Sequence, residues 1–244
     1  MTAPWATLPS GPAATSIRAA PPVLVAVAHG TRCRTGQEQV RQLVDAIRRR
    51  RPGLRIELAY LDIEQPGLGA VARGLDRPAV AVPLLFAAGY HVRTDIPAEL
   101  RGTTVTAAAP LGPDPLLTEA LVRRLREAGP LPDAVVLAAA GSSDPRARAD
   151  VRAVARELAT AIDRPVRAGY ASAATPRVDA AVASLRGDGA RRVGVAAMLL
   201  ADGHFHRSLH TAGADTVTRP LGTTVVDLIL SRYHDALTPV RRAG

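Results

Sequence analysis

An internal repeat, offset by about 110 residues or the length of a small α/β domain, limits this chain of 244 residues to a duplicated architecture. Pro110-Leu111-Gly112 returns as Pro220-Leu221-Gly222, and Tyr60 and Pro66 return as Tyr170 and Pro176. Gly30 returns as Gly141 and Gly89 as Gly203. Such self-similarity decides the architecture ahead of any local pattern. Each half reads as strands alternating with helices. In the first half strands are expected near 23–28, 54–60, 79–86 and 103–108, with helices near 36–50, 66–75, 95–101 and 114–128. The helix near 36–50 rests on Val40, Leu43, Val44 and Ile47, apolar residues at helical spacing. In the second half strands are expected near 134–139, 165–170, 193–200 and 215–218, with helices near 146–163, 175–187, 204–213 and 223–237.

Strands that are apolar throughout and alternate with helices belong to parallel sheets covered on both faces. The expected fold class is therefore α/β, with two pseudo-symmetric domains, each a parallel sheet flanked by helices, and an active-site cleft between them. The domains are set at residues 23–130 and 131–244. Residues 1–22, rich in Ala, Pro, Ser and Thr, are expected to be a disordered tail.

The repeat is not faithful everywhere. His29 closes the strand Val23-Leu24-Val25-Ala26-Val27-Ala28, and His91 follows the strand ending Leu84-Leu85-Phe86. Asp62 follows the second strand. Ligands of open α/β sheets bind at the carboxyl ends of strands, so these three residues share one rim. Their counterparts are Ala140, Phe205 and Ser172. A duplication that keeps its glycines and loses its polar groups together points to function in the half that retains them. A single histidine at a strand end is ordinarily structural. Two imidazoles with a carboxylate can hold a divalent transition metal with positions left open, and imidazole exchanges protons near neutral pH.

Other candidates are weaker. Glu64 rivals Asp62 as the acid, and Asp62 can equally cap the helix expected from Pro66. His206 and His210 are four apart and face together on a helix, a possible metal pair beside His204, although exposure on an amphipathic helix explains them as well. Nothing singles out His234. Asp95-Ile96-Pro97 reads as a capped helix start that holds the preceding loop.

Composition excludes several classes. The one cysteine, Cys33, allows no internal disulfide framework and no zinc-finger spacing. No phosphate-cradling or dinucleotide glycine pattern occurs. The net charge is +9 with every basic residue an arginine, which attracts anions; a GC-rich coding sequence would also favour arginine. Aromatics make up only 3% of the chain, too few for base stacking, so no nucleic-acid partner is expected. No apolar run approaches the ~18 residues of a membrane span, and residues 1–22 hold no stretch of signal length. A cytoplasmic protein without membrane association is the expectation.

These residues resemble the sirohydrochlorin chelatase family, the class II cobalto- and ferrochelatases, in its long two-domain form. The resemblance covers nearly all of 23–237. It is carried by His29-Gly30-Thr31, by Tyr60-Leu61-Asp62-Ile63-Glu64-Gln65-Pro66, and most specifically by Pro83-Leu84-Leu85-Phe86 through Gly89, His91 and Asp95-Ile96-Pro97. It implies a lyase of siroheme or cobalamin synthesis that inserts Fe2+ or Co2+ into the tetrapyrrole and releases two protons. The metal is a substrate, and no organic cofactor is implied. His29 and His91 take the place of the family's metal-binding histidines, and Asp62 stands where the family usually has Glu. Arg32, Arg34, Arg93 and Arg207 near the rim are candidates for the carboxylates of sirohydrochlorin. The alternative is a non-catalytic carrier of metal or tetrapyrrole.

Overall fold

A computed structural model of the chain describes residues 20–238. Most of the tail expected over 1–22 lies outside the described residues; of its last three, Pro22 accepts a hydrogen bond from the Tyr233 hydroxyl at 2.6 Å. The first half runs β1 (Val23–Ala28), α1 (Arg34–Arg50), β2 (Ile56–Tyr60), α2 (Leu68–Arg73), β3 (Ala79–Pro83), a π-helical turn (His91–Asp95) leading into α3 (Ile96–Glu99), β4 (Val105–Ala107) and α4 (Pro115–Glu127). The second half runs β5 (Ala134–Ala139), α5 (Pro145–Ile162), β6 (Val166–Tyr170), α6 (Val178–Gly187), β7 (Val193–Met198), α7 (His204–Leu209), β8 (Thr216–Val217), a 3₁₀ turn (Gly222–Val225) and α8 (Val226–Leu237).

All strand pairs are parallel, and the two sheets have the orders β2-β1-β3-β4 and β6-β5-β7-β8. Successive side chains of a strand point to opposite faces, and β1 shows why it must be apolar throughout. Leu24, Ala26 and Ala28 enter a central core, whereas Val23, Val25 and Val27 enter an outer core with Ala59, Leu68 and Ile96. In β5, Val135, Leu137 and Ala139 face the same central core, and Ala134, Val136 and Ala138 face a second outer core with Ala181 and Leu185.

The central core is common to both halves, because the halves exchange their last helices. α4 packs on α5 and β7 of the second half, and α8 packs on β3 and α1 of the first. Arginines hold the exchange at the repeated Pro-Leu-Gly segments. Arg124 of α4 donates to the Leu221 carbonyl at 2.8 Å. Arg232 of α8 donates to the Pro110 carbonyl at 2.7 Å and pairs with Asp114 at 2.8 Å. Arg232 is nearly buried, so its charge is tolerable only with these partners. Helices from both halves thus lie between the two sheets, and the parallel α/β architecture agrees with the sequence reading.

Candidate functional site

The order β2-β1-β3-β4 places the topological switch between β1 and β3, where strand connections diverge and a crevice opens at the carboxyl ends. His29 is the first residue after β1, and His91 opens the turn in the loop beyond β3. The two rings meet there edge to face with their Nε2 atoms 3.1 Å apart. Both histidines are partly exposed, as a site that exchanges ligands with solvent requires.

The loop after β1 has a defined shape. Gly30 has φ of +96°, and a Cβ there would fall on the Asp62 carbonyl oxygen. Glycine is needed for both reasons, and Gly141 repeats the arrangement against Ser172 with φ of +104°. The Thr31 amide donates to Glu64 Oε1 at 2.9 Å, tying the His29 loop to the loop after β2. Glu64 also approaches Tyr60, whose hydroxyl is pushed up chiefly by burial and further by that carboxylate.

Asp62 stands on this rim and is exposed, with its Oδ1 accepting from the Ile63 amide at 2.7 Å. The structure brings His29 and His91 together without a third ligand: among the described residues no third His, Cys, Asp or Glu completes a metal-sized cluster with them. Asp62, expected as the assisting acid and not as a metal ligand, forms no such cluster with them. The reason is topological, since β2 lies on the side of β1 away from β3.

The expectation that Asp95 caps a helix start is corrected. Its backbone is helical, and its side chain caps no amide. The turn before it is π-helical and continuous with α3, which places Asp95 Oδ2 2.6 Å from His91 Nδ1. A carboxylate on Nδ1 holds the ring with Nδ1 protonated and directs the Nε2 lone pair outward, the outer-shell pattern of metal-binding histidines. The four-residue spacing of His91 and Asp95 was the available sequence signal.

The second-half histidines form no metal pair. His206 is 7% exposed, with Nδ1 2.7 Å from Asp202 Oδ1 and Nε2 donating to the Thr218 carbonyl at 2.9 Å. Both nitrogens are occupied, and the ring is a satisfied core group rather than an exposed one. His210 meets it edge to face, and His204 and His210 are exposed. His234, also exposed, contacts Arg51.

Of the candidate arginines, Arg32 and Arg34 are exposed at the start of α1. Arg93 donates to the Ala88 carbonyl and lies 3.8 Å from Asp144, whereas Arg207 lies 3.8 Å from Cys33 Sγ. The Gly36 amide, aided by Arg207 and the Thr35 amide against some desolvation, holds the Cys33 thiol below its ordinary range. Large apolar side chains are also exposed beyond the strand ends: Ile63 after β2, Tyr90 just before the π-helical turn and Phe205 in α7. Ile63 has φ of +64°, unusual for a β-branched residue.

With metal–nitrogen bonds of about 2.1 Å, two nitrogens 3.1 Å apart subtend an angle of about 95° at a metal, which suits cis positions of an octahedral or five-coordinate shell. Two imidazoles leave the remaining positions to water or incoming donors, so the site can hold a borderline divalent ion loosely.

Comparison with known proteins gives a consistent picture. The family model described as CbiX matches residues 23–128 and again 134–236. The sirohydrochlorin cobaltochelatase of Methanosarcina barkeri is 29% identical over 123 residues, which span 43% of this chain and 95% of that protein. The sirohydrochlorin ferrochelatase of Priestia megaterium is 24% identical over 233 residues, 88% of this chain and 85% of that protein. The solved structure of SirB from Bacillus subtilis with Fe3+ superposes with a TM-score of 0.72 at 22% identity, covering 88% of this chain and 94% of that one, and shows the shared fold.

Proposed function

The chain belongs to the CbiX family of sirohydrochlorin chelatases, and from that premise we propose that it inserts Fe2+ or Co2+ into sirohydrochlorin at the rim formed by His29 and His91. It is a metal chelatase, hence a lyase, and the metal is its substrate. The observation that carries the assignment of the site is the 3.1 Å approach of two imidazole Nε2 atoms at the switch point of the first sheet.

The reaction exchanges one divalent ion for two pyrrole N–H protons. His29 and His91 hold the ion by their Nε2 atoms, and Asp95 orients the His91 ring. A hold through only two protein ligands suits an ion that must leave, because every position surrendered to a macrocycle nitrogen displaces a water or an imidazole. Asp62, exposed on the same rim, receives protons released by the macrocycle. Glu64 serves the loop rather than the proton, through its bond to Thr31.

The macrocycle is flat with a carboxylate periphery. Ile63, Tyr90 and Phe205 offer apolar contact to its face. Arg32 and Arg34 offer guanidinium groups to its carboxylates, with Arg93 and Arg207 completing the basic margin. The first half, 23–130, carries the chemistry, and the second, 131–244, supports it. No helix among the described residues is long and apolar enough to cross a membrane, and a cytoplasmic location fits a small-molecule pathway of this kind.

The test is anaerobic incubation of the purified chain with sirohydrochlorin and Fe2+ or Co2+, following the macrocycle's absorption. A rate above the protein-free control that His29→Ala and His91→Ala abolish supports the proposal. A rate equal to the control refutes it, and stoichiometric binding without turnover assigns a carrier role instead.

A further inference from the structure

We propose that Asp150, in the half without site histidines, is a positioning residue for His91. This rests on the reading of His91 as a metal-holding residue.

The loop that leaves β3 does not rest on its own half. The Ala88 amide donates to Asp150 Oδ2 of α5 at 2.9 Å. At Gly89 the nearest groups are Ser142, in the loop that leads into that helix, and Ala147, in its first turn. Arg93, two residues after His91, lies 3.8 Å from Asp144, the residue that caps α5.

The second half makes the mirrored contact. The Asp202 amide, in the loop after β7, donates to Gln39 Oε1 of α1 at 2.6 Å, and Gln39 Nε2 donates back to Asp202 Oδ2 at 2.7 Å. Gly36 of α1 lies under the Asp202 carbonyl, and Arg207 reaches Cys33, the residue before α1. Gln39 and Asp150 are equivalent in the frame that relates Gly30 to Gly141, and Ala88 and Asp202 are equivalent in the frame that relates Gly89 to Gly203. Each half therefore anchors the third-strand loop of the other by one side-chain acceptor at one helical position.

The duplication has kept this anchor in both directions while keeping the rim imidazoles, at the positions of His29 and His91, in only one. The anchor from Asp150 holds a loop that carries a ligand, and the anchor from Gln39 holds one that carries Phe205 in its place. The Ala88 amide is three residues from His91, so its hydrogen bond sets where the turn His91–Asp95 begins. Because ligand distances must hold within a few tenths of an ångström, releasing the loop removes the His91 Nε2 from reach of a shared ion. A carboxylate accepting from an amide is the stronger form of such a bond.

The experiment titrates the full chain anaerobically with Co2+, reading the d–d absorption of the bound ion, with near-ultraviolet circular dichroism as the check on folding. Asp150→Ala is expected to weaken Co2+ binding about 10–100-fold, the usual effect of losing an outer-shell support, while Gln39→Ala changes it by less than about twofold. Asp150→Gln, which installs the acceptor found at the mirrored position, restores binding. Should Asp150→Ala not fold, Asp150→Ser replaces it, since its hydroxyl is too short to span the gap. Wild-type affinity in a folded Asp150→Ala or Asp150→Ser chain overturns the proposal, as does equal weakening by Gln39→Ala, which would mark a contribution to folding alone. If His91→Ala binds Co2+ as well as the wild type, the metal-holding reading falls and this one with it. If His91→Ala abolishes binding and Asp150→Ala does not, only this inference fails.

Discussion

His29 and His91 are 62 residues apart in the chain and 3.1 Å apart at their Nε2 atoms. Neither strand that delivers them sets this distance by itself. β1 and β3 are hydrogen-bonded neighbours with Val27 opposite Pro83, and the loops beyond them turn the two rings edge to face.

On the proposed reading the two rings share one ion, so their removal should not be additive. His29→Ala and His91→Ala are each expected to lower the insertion rate at least about 100-fold, with the double variant little worse than either single one, as for residues that act as a unit. Initial rates at saturating metal measure this. A double variant whose loss is the product of the two single losses would show that the histidines work independently.

Asp95 holds His91 by Nδ1 at 2.6 Å. Asp95→Ala is expected to weaken Co2+ binding about 10–100-fold without loss of fold. Asp95→Asn, which keeps an acceptor oxygen, should lie between the variant and the wild type. Unchanged affinity in Asp95→Ala would remove Asp95 from the site.

The two acids of the loop after β2 should separate by kinetic signature. Asp62→Asn is expected to reduce kcat by about 10-fold or more, within the range of a lost proton acceptor, and to leave Co2+ affinity unchanged. Glu64→Ala frees the Thr31 amide and is expected to weaken Co2+ binding first. The reverse assignment would follow if Glu64→Ala lowered kcat alone.

Leu121 is fully buried in the core that both halves share. Leu121→Ala is expected to cost about 2–5 kcal/mol in unfolding free energy, and to do so in one transition, since α4 packs on β7 and α5 of the second half. Urea unfolding with hydrogen exchange read separately over 23–128 and 134–236 tests it. Two resolved transitions would show that the halves unfold as separate units.

Asp215 should contribute to acid sensitivity. The Val193 amide at 2.7 Å, with Arg186 at 3.0 Å, holds its carboxyl below the ordinary carboxylate range, against some desolvation. The depressed value means that the stabilisation is present at neutral pH and is lost as the pH falls below the ordinary carboxylate range and through the folded-state value. Asp215→Asn is expected to lower the Tm at neutral pH and to narrow its gap to wild type as the medium is acidified. A constant gap down to pH 2 would rule out this linkage. Asp215 is well exposed, so the effect is modest.

Much of the frame is legible along the chain. The strands at 23–28 and 134–139 have the expected bounds, and the other strands and the helices lie within a few residues of theirs, because each is announced by a local period of apolar residues and a local break. The strand near 79–86 ends early, at Pro83, since Leu84 to Phe86 already belong to the loop that crosses to the other half. Ala140 and Phe205 at the equivalent positions of the second half point to His29 and His91, because duplication supplies an internal comparison.

What the chain alone determined was its duplication, its parallel strands and the rim on which two histidines would fall. All three follow from interactions between residues close in sequence or repeated at a fixed offset. Only the tertiary structure decided that α4 and α8 change places, that Asp95 serves His91 rather than a helix end, that His206 is buried between Asp202 and Thr218, and that Asp150 holds the loop of the opposite half. Such pairings depend on side-chain direction and on contacts between distant segments. A polar residue near a turn has several partners within reach, and which one it takes is settled by the packing of elements that the local pattern does not describe.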